Sequence, residues 1–128
     1  MIVKKMPILQ GFSDFETVKF FTGKFFQKYN FTPVFYDIET TGLSRNSTYL
    51  YLIGAVGIED ETWNFYQWMA ENASEEETIL RIFSQFLQRC DLLISYNGDR
   101  FDQPYLEARY EKYGIPSPFT GKQSLDLY

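Results

Sequence analysis

The sequence predicts an α/β domain built on a mixed central sheet, and three observations predict it. Residues 33–38 are a short β-branched and aromatic run. Two further strand-like runs follow, joined by the short acidic connection Glu59-Asp60. After them, helical periodicity alternates with short apolar runs to the end of the chain, the pattern that folds as helices packed on a partly parallel sheet. The chain has 128 residues, 45% of them apolar, which suits one small domain with a real core. Aromatic side chains make up 20%, with 13 Phe and 10 Tyr, so the core is expected to be built from rings.

Each element has a local reason. Ser13 and Glu16 have capping-box spacing, and Phe15, Val18, Phe21 and Phe25 recur near helical period, predicting a first helix of about three turns. It lies in a helical N-terminal segment, 1–30, expected to pack on the domain formed by 31–128. Pro33 to Ile38 reads as a buried strand closed by Thr40-Thr41-Gly42. Tyr49 to Ile58 and Thr62 to Met69 read as an antiparallel hairpin, which with 33–38 makes a three-stranded antiparallel start. Ser74-Glu75-Glu76-Glu77 marks a helix start, with Ser74 as cap and Glu77 reaching back. Ile79, Leu80, Ile82, Phe83, Phe86 and Leu87 supply its apolar face, and the acidic cluster reads as a solvated first turn. Leu92 to Ser95 is a short strand ending in the turn Tyr96-Asn97-Gly98. A helix from about Asp102 to Tyr113 stops at Gly114, and Ser124 to Tyr128 begins one more strand. A right-handed crossover through the 74–89 helix would lay strand 92–95 parallel beside strand 33–38 and bring their carboxyl ends together, where open α/β sheets place ligands.

Composition excludes several chemistries. Histidine is absent, which removes Ser-His and Cys-His triads and imidazole metal sites. Cys90 is the only cysteine, so no intramolecular disulfide forms, and its apolar neighbours suggest a buried thiol. Net charge is −5, so bulk electrostatics do not argue for a nucleic-acid partner. No apolar run approaches the ~18 residues of a membrane span, and no signal peptide is expected, so a cytoplasmic protein without membrane contact is the reading.

Asp37 and Glu39 lie two apart at the end of a strand, so they share a face, ~7 Å apart along the chain. Such a pair can touch one cation together, or each hold one of two ions separated by ~3.5–4 Å. Alone, the pair reads as an ordinary solvated strand end. Asp102, which follows the neighbouring strand and opens a helix, is the further candidate, although an N-cap role would also explain it. Oxygen ligands without His or Cys favour Mg²⁺ or Mn²⁺. Asn97 suits the left-handed backbone before Gly98, and Phe101 suits a hydrophobic staple onto Tyr105 or Leu106.

Phe35-Tyr36-Asp37-Ile38-Glu39-Thr40-Thr41-Gly42-Leu43-Ser44 resembles the first exonuclease motif of the DnaQ-like (DEDD) branch of the RNase H-like superfamily. Tyr96-Asn97 with Phe101-Asp102 resembles the second. The spacing, with Ser124-Leu125-Asp126-Leu127 downstream, is most similar to the YprB-type group related to family-B polymerase proofreading domains. The resemblance covers about residues 33 to 128 and implies an RNase H-like fold and a 3′–5′ exonuclease with two ions of Mg²⁺ or Mn²⁺. In it Asp37 would bridge both ions, Glu39 would hold the one that activates water, and Asp102 the one on the leaving-group side. Thr40, Gly42 and Leu43 would contact the terminal nucleotide of single-stranded DNA or RNA, with Leu43 as an apolar wedge. Asn97 and Phe101 would support that site, and Asp126 would take a supporting structural role.

The family's fourth acidic ligand and its general base belong to a third motif for which this sequence has no residue. The expectation is therefore a chain cut short before that motif, weak or inactive alone, whose uncovered sheet surface could pair with a second copy. The alternatives are a non-catalytic nucleic-acid-binding or protein-interaction module on the same fold, or an RNase H-like endonuclease.

Overall fold

Val34, Tyr36 and Ile38 alternate with Phe35, Asp37 and Glu39 along one strand, and this alternation sets the two faces of the sheet. The computed structural model describes residues 1–7, 32–59 and 62–128. Its strands are β1 (Ile2–Pro7), β2 (Pro33–Thr40), β3 (Leu50–Glu59), β4 (Thr62–Met69), β5 (Leu92–Ser95) and β6 (Gln123–Asp126). Its helices are α1 (Glu76–Leu87), preceded by a 3-10 turn at Ala73–Glu75, and α2 (Asp102–Lys112). The sheet has six strands in the order β1-β4-β3-β2-β5-β6. The β2–β3, β3–β4 and β1–β4 pairs are antiparallel, and β5 runs parallel to both β2 and β6. The crossover through α1 thus places β5 beside β2, as the sequence predicts.

One N-terminal expectation changes. Ile2–Pro7, inside the segment read as helical, is a strand that extends the antiparallel part from three strands to four. All six of its residues are exposed, so no alternation betrays it; backbone pairing with β4 makes the strand. The helix expected over 13–25 lies outside the described residues.

The core forms where α1 and α2 cover the Val34–Tyr36–Ile38 face. Helical spacing brings Phe83 and Phe86 down onto Tyr66 and Trp68, with ring centroids 4.7 Å apart for Tyr66–Phe86 and 5.1 Å for Trp68–Phe86. Tyr36 meets Phe83 at 5.9 Å. Rings at these separations add ~0.5–1.5 kcal/mol per pair beyond area burial, which is what the high aromatic content supplies. Tyr110 Oη donates to the Leu80 carbonyl at 3.1 Å and ties the two helices together. Cys90 is buried, and burial pushes its thiol up to about 11, as suits a packing residue.

The entry to α1 departs from the expected capping box. Asn72 Oδ1 accepts from the Ser74 amide at 3.0 Å and nucleates the 3-10 turn, while Glu77 pairs outward with Arg81 at 3.0 Å. Glu76 is not solvated: it is fully buried and paired with Arg109. No helix among the described residues is long and apolar enough to cross a membrane.

Candidate active site

Strand alternation sends Asp37 and Glu39 to the face opposite the helices, where both are exposed. The β2–β5 ladder stops at Phe35–Ile94, so the carboxyl half of β2 has no β5 neighbour. The chain leaves β5 through Asn97, at φ 62°, and Gly98, whose Cα sits against the Ser95 side chain. A Cβ on Gly98 would lie 2.2 Å from Ser95 Oγ, so only glycine allows this turn. The turn delivers the start of α2 to the open end of β2.

Asp102 is the first residue of α2, with Phe101 at the capping position and no side-chain cap bond. The Asp102 carboxylate is therefore not used as an N-cap, which settles that alternative. The residue is only 6% exposed, and its Oδ2 is buried without a hydrogen-bond partner. Burial, and then the Asp37 carboxylate beside it, push the Asp102 carboxyl up to about 7; Glu39 adds to the rise and the Ile38 amide opposes it. Asp102 and Asp37 are thus brought together. Glu39 reaches them by its charge, and no three acidic side chains among the described residues converge on one metal-binding point.

The donor set fits a hard divalent ion. It offers carboxylate oxygens without imidazole, and one of those oxygens is buried with no donor. The same geometry makes a stability prediction. The folded-state pKa of Asp102 lies above the ordinary carboxylate value, so its contribution is fully present below about pH 4 and lost as pH rises through about 7. Asp102→Asn, unable to ionise, is expected to be more stable than the parent at pH 8 by on the order of 1–2 kcal/mol after solvent screening. The advantage should vanish near pH 4, as read by urea unfolding in the presence of a chelator.

The other site residues fall around this pair. Thr40 Oγ1 donates to the Gly42 carbonyl at 2.7 Å and tightens the turn after β2. A Cβ on Gly42 would lie 2.8 Å from Thr48 Cγ2, so the turn packs directly on the returning loop. Leu43 stands 81% exposed at its tip. Asn97 Oδ1 is buried without a partner, as are Tyr36 Oη and Ser95 Oγ nearby. Phe101 is half-buried, its ring 5.9 Å from that of Tyr105. Asp126 accepts from the amides of Asn97 at 2.7 Å, Asp99 at 3.2 Å and Tyr128 at 3.0 Å, which hold its carboxyl below the usual range. It braces the turn after β5.

Sequence reasoning missed Glu76, Tyr105 and Arg109. Helical period was the available signal. Glu76 lies on the stripe with Ile79, Leu80 and Phe83, and Arg109 on the stripe with Asp102, Tyr105 and Leu106, all buried. Opposite charges on two apolar stripes predict a buried pair.

Among the described residues, the fold is a mixed α/β sheet with Asp37 and Asp102 side by side at the open end of β2. A family model described as the RNase_H superfamily matches residues 34–128, and the chain belongs to that superfamily. Among curated relatives, DNA polymerase 1 of Aeropyrum pernix is 43% identical over 45 residues, 35% of this chain and 5% of that protein. DNA polymerase 1 of Pyrococcus abyssi is 47% identical over 47 residues, 36% of this chain and 6% of its own. The chain thus spans a small fraction of the length of these relatives. Among solved structures, the family B DNA polymerase of Pyrobaculum calidifontis superposes with a TM-score of 0.62 at 20% identity, over 77% of this chain and 15% of that one. E. coli exonuclease I in complex with a dT13 oligonucleotide gives 0.60 at 13% identity, over 75% and 28%. The fold is RNase H-like, and these relatives agree with the DnaQ-like resemblance of the sequence.

Proposed function

We propose that this domain is a metal-dependent 3′–5′ exonuclease domain that hydrolyses phosphodiester bonds from the 3′ end of single-stranded DNA or RNA. One observation carries the reading: Asp102 lies buried beside Asp37 with an oxygen that has no donor, at the open end of the central strand of an RNase H superfamily domain. Asp37, Glu39 and Asp102 would hold Mg²⁺ or Mn²⁺. Such ions, two in the mechanism the resemblance implies, supply charge stabilisation at the phosphate and a more acidic bound water. The protein's own part is to hold carboxylates where repulsion would otherwise disperse them. Thr40, Gly42 and Leu43 would receive the terminal nucleotide, and Asn97 and Phe101 would steady the turn behind it. The solved structures of exonuclease I with dT13 and dA16 oligonucleotides support a nucleic-acid partner on this fold.

Single-stranded DNA labelled at either end, incubated with the protein in excess and Mn²⁺, tests this. The expected result is release of mononucleotide from the 3′ label and progressive shortening of the 5′-labelled strand. Internal cutting of circular DNA would instead favour the endonuclease reading. A second reading is a non-catalytic binding module on the same fold. That reading gains if DNA binds while Mn²⁺ titration shows no site.

A further inference from the structure

We propose that Arg109, held by Glu76, is a positioning residue: it fixes the loop between β2 and β3 against α2, and so sets where Leu43 stands relative to Asp102. What Leu43 touches rests on the exonuclease reading; the tether rests on the structure alone.

Arg109 is 2% exposed and Glu76 is 0% exposed. Arg109 Nε donates to Glu76 Oε2 at 2.9 Å and Nη2 to Oε1 at 2.5 Å, a two-pronged pair. The remaining nitrogen, Nη1, donates to the Arg45 carbonyl at 2.8 Å, inside the loop. Glu76 also accepts from the Leu50 amide, where β3 begins, at 2.6 Å and from Tyr113 Oη at 2.7 Å. One turn earlier on α2, Tyr105 Oη bonds Thr48 Oγ1 at 2.7 Å, and Thr48 Oγ1 in turn donates to the Ser44 carbonyl. The loop ends are closed by Thr41 N to Tyr49 O and Tyr49 N to Thr41 Oγ1, both at 3.0 Å.

The loop is therefore bonded at 41, 44, 45, 48 and 49, while Leu43 itself is 81% exposed. Nothing packs that side chain in place, so its position is inherited from the tethers. Tyr105 and Arg109 lie on the same buried face of the helix that begins with Asp102. One rigid rod thus carries the third acidic residue at its start and the loop anchors one and two turns on. A guanidinium is required, because three donors in one plane must reach a carboxylate and a carbonyl at once.

Arg109→Lys keeps the buried charge but cannot make all three bonds. In the whole protein, hydrogen exchange at the 41–49 amides is expected to rise at least tenfold, while amides of α1 and of β2 up to Ile38 stay as they were. With 3′-labelled single-stranded DNA and Mn²⁺, KM is expected to rise about tenfold with kcat changed less than threefold. In a Leu43→Ala background, Arg109→Lys should add less than a twofold further change, because the contact it positions is gone. Equal effects of Arg109→Lys with and without Leu43, or exchange raised uniformly across the domain, would overturn the proposal. Loop exchange left unchanged would overturn it as well. If the parent protein neither cleaves DNA nor binds Mn²⁺, the exonuclease reading fails, and the exchange measurement still decides the tether.

Discussion

Asp37→Ala is expected to abolish Mn²⁺ binding and to lower 3′-end hydrolysis by about 10³-fold or more, without loss of folded protein. Electrostatic stabilisation by single preorganised groups or ions is worth this much where charge develops on a phosphate. The fold should survive because Asp37 is exposed on β2, and its removal opens no cavity. Stability should instead rise slightly at neutral pH. With the Asp37 charge gone, the Asp102 carboxyl, now pushed up to about 7, loses the second largest cause of that rise and ionises more easily. A variant with parental activity would remove Asp37 from the site; one that lost activity only through unfolding would show a lowered melting temperature.

Glu76→Ala is expected to be the most damaging single change to the fold. It leaves the Arg109 guanidinium, 2% exposed, without its counter-charge, and takes the acceptor from the Leu50 amide and Tyr113 Oη. Breaking a buried pair from one side costs about 3–5 kcal/mol, against a total stability of roughly 5–15 kcal/mol. A fall in melting temperature of roughly 10–20 °C follows. The double variant Glu76→Leu with Arg109→Met should be less destabilised than Glu76→Ala, because it leaves no unpaired buried charge. It should nevertheless show the loop release of Arg109→Lys, since the bond to the Arg45 carbonyl is lost. If Glu76→Ala unfolds at the parental temperature, the pair contributes nothing net.

Much of the fold was legible because its signals are local. The β-branched run at 33–38, the hairpin around Glu59-Asp60 and the apolar stripes of α1 and α2 each carry a period readable without knowledge of the partner. A helix between strands allows the parallel crossover, and the pairing of β5 with β2 agrees with the right-handed connection expected of it. β1 was not legible, since its six exposed residues carry no alternation and become a strand only against β4. The start of α1 differs from the sequence reading for a local reason. Ser74 and Glu77 have the right spacing, but Asn72 lies two residues earlier and takes the Ser74 amide first.

The sequence by itself determined the chemistry this protein can offer. Asp37 and Glu39 share a face because strands alternate, and the absence of histidine leaves oxygen as the ligand atom. Only the tertiary structure decided the surroundings of Asp102 and Glu76. Both sit where a helix begins; from the sequence Glu76 reads as a solvated first-turn residue, and Asp102 as a ligand candidate or an N-cap. The fold buries both, one beside Asp37 and the other against Arg109. Burial makes the difference: removed from water, a carboxylate must find a proton, a cation or a set of donors. Glu76 has Arg109, Tyr113 and the Leu50 amide. Asp102 has an oxygen still without a donor, and the proposed metal site would meet that need.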